Sequence, residues 1–303
     1  MNHSTSDQTV FLTWVYSARQ KWGARLLVDS IRSFGGALSD CPVWLFEANP
    51  KRVPCDDFKD MGVRVLPLNP PDTVRRYILA HKVYACAQAE ALAPPGVQSL
   101  VWLAPVCFMA RPPVLFELGP SYGAAVRPVH IQNVGLLATA PLDDFWQGVY
   151  EAVGVRDVQT MVESFVDVQH IRAYFNSAAL AVNPSVGLFR RWFELFEALV
   201  CDQAFQSRAC QDERHQIFLH QAVLSALIAT MLEPEQVRTL PPDYGYPYNL
   251  HGDVPPDRRA PAFNDLTCVI YEERSVDPNK VDDIEIREPL KSWLSGHADV
   301  YPG

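Results

Sequence analysis

The sequence predicts an α/β protein with helices packed on a largely parallel sheet. Three observations point there. Short apolar runs alternate with helix-period segments through the first hundred residues, the pattern of βαβ units. The runs are compact and apolar, as fits buried strands. The hydrophobic share is 48% of 303 residues, enough for a sizeable core.

Val10–Val15 ("VFLTWV") is the first strand. Trp22, Leu26, Leu27, Ile31 and Phe34 then recur at helical spacing, and Gly35-Gly36 stops that helix. Pro42–Phe46 ("PVWLF") and Val63–Leu68 ("VRVLPL") read as the second and third strands. Tyr77–Leu92 reads as a helix ending before Pro94-Pro95, and Leu100–Leu103 as the fourth strand. Right-handed crossovers make these four strands parallel. Further on, Tyr122–Val126 and Ala178–Val182 read as strands. Leu188, Phe189, Trp192, Phe193, Leu195, Phe196 and Leu199 mark one amphipathic helix, and Ile217, Leu224, Leu227, Ile228 and Met231 another. From Pro241 the chain is rich in Pro, Tyr and Asp and is expected to wrap the sheet, with Thr267–Tyr271 a late strand. No repeat or linker interrupts the chain, so residues 1–303 read as a single domain.

The net charge of −9 and the lack of a basic run argue against nucleic acid or an anionic membrane as partner. Seven scattered cysteines form no C-x-x-C pair, which speaks against a disulfide framework or zinc site and for a reducing, cytoplasmic setting. The polar start, "MNHSTSDQT", predicts no signal peptide, and no apolar run approaches the ~20 residues of a transmembrane helix. Oligomeric state is left open.

Several familiar chemistries are missing. No G-x-G-x-x-G follows the first strand, where Thr13-Trp14-Val15-Tyr16 stands instead. There is no P-loop, no H-E-x-x-H and no G-x-S-x-G. His215 and His220 are five apart, which on a helix separates them by about 140° and suits joint metal ligation poorly.

Five segments carry what remains: "VWLAPVCFMARPP", "YFNSAALAVNPS", "LFRRWFELFEAL", "HQIFLHQAVLSALI" and "YPYNL". In order and spacing the chain from Val10 to about Tyr271 resembles the GT-A glycosyltransferases, the nucleotide-diphospho-sugar transferases. The resemblance implies a Rossmann-like mixed sheet flanked by helices, with the nucleotide sugar bound at the carboxyl edge of the strands. It also implies a D-x-D pair holding Mn²⁺ or Mg²⁺ at the end of the fourth strand. Here that pair falls on Ala104 and Val106, which supply no ligand, so the expectation is no metal and no other cofactor.

The resemblance implies roles for single residues, each with a plainer alternative. Lys82, on the helix before the fourth strand, stands where relatives place a donor-contacting cation. A solvated surface charge is the alternative, which the apolar residues flanking Lys82 on both sides weigh against. Arg75, Arg76, Arg111 and Arg127 are further cations, or solvated charges. Asn176-Ser177 matches an "FNSG" turn near the sugar, with Ala178 for the usual Gly; Asn176 either bonds sugar hydroxyls or caps the turn. His220-Gln221 stands where relatives carry D-Q, or is a buried polar pair satisfied within the core. Asp212 or Glu213 is either a helix cap or the base of an inverting transfer. His251 reaches the phosphates or is a loop histidine. Thr13, Trp14 and Tyr16 end the first strand, where the aromatic pair either stacks a nucleobase or packs in the core. The expected function is sugar transfer from a nucleotide-sugar donor to an unknown acceptor without a D-x-D metal. Its rivals are an inactive binding or scaffold protein and a fold reused for other small-molecule chemistry.

Overall fold

The computed structural model describes residues 8–77 and 79–298. In chain order they form β1 (Thr9–Val15), α1 (Ala18–Phe34), β2 (Val43–Glu47), β3 (Val63–Pro67), α2 (Ala80–Leu92), β4 (Ser99–Leu103), β5 (Cys107–Met109) and β6 (Ala124–Val126). There follow α3 (Asp144–Val153), β7 (Met161–Glu163), β8 (His170–Arg172), β9 (Ala179–Val182), α4 (Leu188–Cys201), α5 (Gln203–Ala209) and α6 (Glu213–Met231). The chain finishes with β10 (Val237–Thr239), β11 (Tyr244–Pro247), β12 (Cys268–Ile270) and α7 (Leu290–Ala298).

A seven-stranded mixed sheet in the order β10-β6-β9-β4-β1-β2-β3 forms the centre. The expectation of a parallel group is met: β1 lies parallel to β2 and β4, and β2 to β3. All seven residues of β1 are buried, which is why its sequence shows no polar alternation. One strand runs the other way. β9 is antiparallel to both β4 and β6, with Leu103 opposite Ala179. Its two faces differ in size. Leu180 and Val182 join the core under the helices α2, α3, α4 and α6, whereas Ala179 and Ala181 join the core under α1. A smaller sheet, β11-β12-β5, stands beside the first and encloses a third core that also takes Leu290 and Leu294 of α7.

The helices begin and end for local reasons. At the start of α1, Ser17 caps the Gln20 amide and the Gln20 side chain returns to Ser17, a reciprocal pair. Gly36 follows at φ +60°, a backbone that glycine adopts without cost. In α2 the expected start at Tyr77 moves to Ala80, because residues 72–77 form turns with Tyr77 N–H bonded to the Val74 carbonyl. Trp102, Trp146 and Trp192 are fully buried in the core on the α2, α3, α4 and α6 side of the sheet. No described helix is long and apolar enough to cross a membrane.

Candidate functional site

A cleft of about 510 Å³ opens at the carboxyl ends of β1 and β4, where the chain enters β9. The reversed β9 explains its make-up. The Ala104 amide donates to the Ala178 carbonyl at 2.7 Å, so the end of β4 and the start of β9 share one edge. Ala104-Pro105-Val106 leave the sheet there, and Asn176-Ser177-Ala178 arrive. The first turn of α2 and the middle of α6 supply the wall behind them, through Leu79, Lys82, Phe218, His220 and Gln221.

Lys82 is buried in this wall. Its Nζ donates to the Ser177 hydroxyl at 2.7 Å and to the Ser177 carbonyl at 3.2 Å. No carboxylate among the described residues pairs with it, and burial pushes its pKa down from 10.5 to about 7. The Ser177 Oγ also lies 2.9 Å from Gln221 Oε1 and 3.1 Å from His220 Nε2. His220 Nδ1 sits 2.7 Å from the Ile217 carbonyl, so the proton is on Nδ1 and Nε2 presents a lone pair. Burial, and then the charge of Lys82, hold this imidazole well below its usual range, in the neutral form.

The Asn176 side chain turns back to accept the Ala178 amide at 2.7 Å, which fixes the bend into β9. Its amide nitrogen lies 3.5 Å from the His130 ring. His130 Nε2 is 2.9 Å from the Gly245 carbonyl. Burial and the nearby Arg127 charge push the His130 pKa down to about 3. Trp14 lines the near side of the cleft and stacks on His81 with centroids 5.4 Å apart and planes at 20°. Beyond that stack a second cavity, of about 440 Å³, is bordered by Tyr16, Leu68, Asn69, Arg75 and His81.

Of the residues singled out from sequence, the cleft therefore brings together Trp14, Lys82, Ala104, Val106, Asn176, Ser177, His220 and Gln221. The others lie elsewhere, each for a physical reason. Thr13 points into the interior of β1 and is fully buried, its hydroxyl without a partner. Tyr16 is 45% exposed and borders the second cavity instead. Arg127 turns inward. Its guanidinium donates to the Tyr244 and Gly245 carbonyls at 3.2 and 2.8 Å and lies 4.2 Å from the Phe165 ring centre. Asp212 is the N-cap of α6, bonded to the His215 amide at 2.9 Å and paired with its ring, and it is outside the cleft. His251 is buried with Nδ1 2.8 Å from the Tyr246 hydroxyl.

Sequence reading missed Gln20, His130, Asn133, Asn249 and Glu272, all of which line the cleft. Glu272 stands at the rim just past β12 with φ +46°, and Asn249 Nδ2 donates to its carboxylate at 2.8 Å. Burial and then the neighbouring Glu273 raise its pKa. Asn249 lies within the quoted "YPYNL" segment but was not singled out, and no motif marks the other four: Gln20 comes from the start of α1, His130 and Asn133 from the loop after β6, and Glu272 from the turn after β12.

The D-x-D metal that the resemblance implies does not fit this cleft. Ala104 and Val106 line it with hydrocarbon, and no group of three or more His, Cys, Asp or Glu among the described residues is placed to hold a metal ion.

No protein-family model and no curated protein matches the chain. Among solved structures, the apo form of mouse xyloside xylosyltransferase 1 is similar over 91% of this chain and 99% of that chain. The likeness stands at 10% sequence identity and a TM-score of 0.46.

Proposed function

We propose that the chain is a single GT-A-like domain that binds a nucleoside-diphospho-sugar in the 510 Å³ cleft and transfers the sugar to a separate acceptor without a D-x-D metal. One observation carries this reading. The cleft wall holds a buried lysine with no carboxylate partner, at the strand edge where α/β sheets bind their ligands. In a protein of net charge −9, a lysine kept without a carboxylate partner at that edge suits an anionic ligand. The N-terminus of α2 borders the same cleft and has no side-chain cap, which adds to the positive field.

The roles follow from position. Lys82 meets the diphosphate and steadies the charge that grows on it as the sugar leaves. The nucleoside extends past Trp14 toward the cavity bordered by Tyr16 and His81. Asn133, Gln221 and the outer edge of Asn176 offer amides to sugar hydroxyls. Glu272 replaces Asp212 as the carboxylate within reach of an incoming acceptor. A second reading, binding without turnover, is favoured by one observation: Glu272 is the single carboxylate among the described cleft residues.

Calorimetric titration with a panel of nucleotide sugars, with and without Mn²⁺, tests the proposal. The expected result is binding that EDTA and Mn²⁺ leave unchanged. A tenfold or greater gain on adding Mn²⁺, worth about 1.4 kcal/mol, refutes the metal-free site. Product formation then separates transfer from binding alone.

A further inference from the structure

Resting on the donor-cleft reading, we infer that Lys82 is a neutral amine in the empty cleft and takes up one proton when a phosphate or diphosphate enters, so that anion binding and protonation are a single event.

The hydrogen-bond count carries the argument. A neutral lysine has two N–H donors, whereas an ammonium has three. Around Lys82 Nζ there are two acceptors, the hydroxyl and the carbonyl of Ser177. The neutral amine satisfies both. An ammonium has a third donor with no acceptor among the described residues, in a wall that excludes water from most of the side chain. An anion in the cleft supplies that third acceptor together with the charge that makes an ammonium worth forming.

The neighbours on every packed element agree. The titratable groups that act on Nζ are Cys86 on α2 and Cys107 on β5; burial keeps Cys86 a thiol, and the hydrogen bond with Cys268, then burial, keeps Cys107 one. On α6, His220 turns its lone pair to Ser177, and Gln221 is uncharged. Across the cleft, His130 is neutral, and the Glu272 carboxylate at the rim is engaged by Asn249. None of these places a negative charge beside Nζ. The depression of the lysine to about 7 is consistent with that surrounding.

The consequence is a pH-linked affinity. Above the free-cleft pKa the anion must first recruit a proton, so affinity falls by about tenfold per pH unit until the pKa of the complex is reached. Below it the lysine is already charged, and affinity levels off.

The test is calorimetry on the full chain at pH 8 with uridine, guanosine and cytidine diphosphates, and with methyl diphosphate, which lacks base and ribose. Each titration is repeated in buffers of different ionisation enthalpy. The terminal phosphates ionise near ~6 and are fully charged at this pH, so any proton taken up goes to the protein. The expected result at pH 8 is a heat that varies with buffer ionisation, with a slope of about one proton taken up per anion. Lys82→Arg keeps its charge at all these pH values and is expected to bind without uptake. If that variant does not fold, the native protein at pH 9 decides: uptake that continues there belongs to an amine, because an imidazole of ordinary pKa ~6.5 would have to be raised by more than two units, and uptake already lost at pH 9 overturns the inference. Binding at pH 8 without buffer dependence overturns the inference and leaves the donor reading standing. Uptake that persists in Lys82→Arg assigns the proton to a histidine and also overturns it. Methyl diphosphate binding with uptake, but no nucleotide binding, keeps the inference and removes the donor reading. No binding by any probe overturns both.

Discussion

Replacing Lys82 with methionine keeps the aliphatic stem and removes the amine, and the structure sets the size of the effect. At pH 6 the lysine is protonated in both the folded and the unfolded chain. The difference between 10.5 and about 7 then corresponds to about 5 kcal/mol held against folding. The folded pKa is the lower one, so between about 7 and 10.5 the unfolded chain binds more protons. Stability of the native protein therefore rises with pH through that window. Methionine removes this cost but forfeits two hydrogen bonds to Ser177, about 1 kcal/mol each. The variant is expected to be more stable than the native protein by about 2–3 kcal/mol at pH 6. At pH 9 the remaining cost of the lysine, about 2 kcal/mol, is offset by the lost bonds, and the two proteins should melt together. At about 2–4 °C per kcal/mol, the pH 6 gain raises Tm by about 5–10 °C. Urea unfolding followed by tryptophan fluorescence at both pH values reads the difference. Nucleoside diphosphate binding by the same variant should be lost, which would make Lys82 a residue kept for binding against the interest of stability. A variant that is less stable by the same amount at both pH values would refute the reasoning, since it would mean that the ammonium is well paired in the folded state.

Two further outcomes follow from packing and charge elsewhere. In Gly23→Ala the new methyl would lie 1.9 Å from the Pro105 carbonyl oxygen and 2.8 Å from the Tyr271 hydroxyl, so α1 or the turn after β4 must move. A loss of about 1–3 kcal/mol or more is expected despite the better helix propensity, along with weaker ligand binding at the displaced turn; an unchanged melting temperature would show that the two are not pressed together. At the C-terminal helix, His297 Nε2 lies 3.3 Å from Asp29, which first among its neighbours raises the imidazole above its usual range. A raised pKa stabilises below ~6.5 and its contribution disappears as pH climbs through the folded value. Asp29→Asn should therefore speed hydrogen exchange in α7 at pH 5.5, at a cost below about 1 kcal/mol, and leave it unchanged at pH 8.5; equal effects at both would refute the pairing.

The strands β1, β2 and β4 were legible because parallel strands buried on both faces read as near-continuous apolar runs, and the edge strand β3 stood out through Val63, Val65 and Leu66 although Arg64 is exposed. Three-residue strands such as β5, β7 and β10 are too short to show a period. Helix α3 did carry a signal, Asp143 as cap and Phe145, Trp146, Val149 and Tyr150 along one face, and it was not singled out. In the site, linear motifs located the residues whose neighbours in sequence share their fate: Ala104 with Val106, Asn176 with Ser177, His220 with Gln221. For Asp212 the cap, one of the two alternatives the sequence offered, is what the structure displays, whereas Arg127 is neither at the cleft nor solvated, because a guanidinium that binds carbonyls looks like any other charge until its partners are seen. Glu272 was invisible, and Asn249, though inside "YPYNL", was not singled out, for a different reason. Only the pairing of β11 with β12 brings their loops together.

The two-sided packing of β9 has a bearing on how this protein can change over time. Side chains alternate faces along a strand, so one inserted or deleted residue in the bend at 173–178 would turn Leu180 and Val182 toward the space that Ala179 and Ala181 now occupy. That space holds methyl groups, and the vacated side would be left with cavities. The bend can therefore vary in identity but not in length. Whatever sequence drift reaches this segment, Ser177 stays at a constant height above the end of β4, opposite Lys82. Lineages descended from this chain can reshape ligand preference by substitution here, while length variation must fall in loops that do not feed the reversed strand.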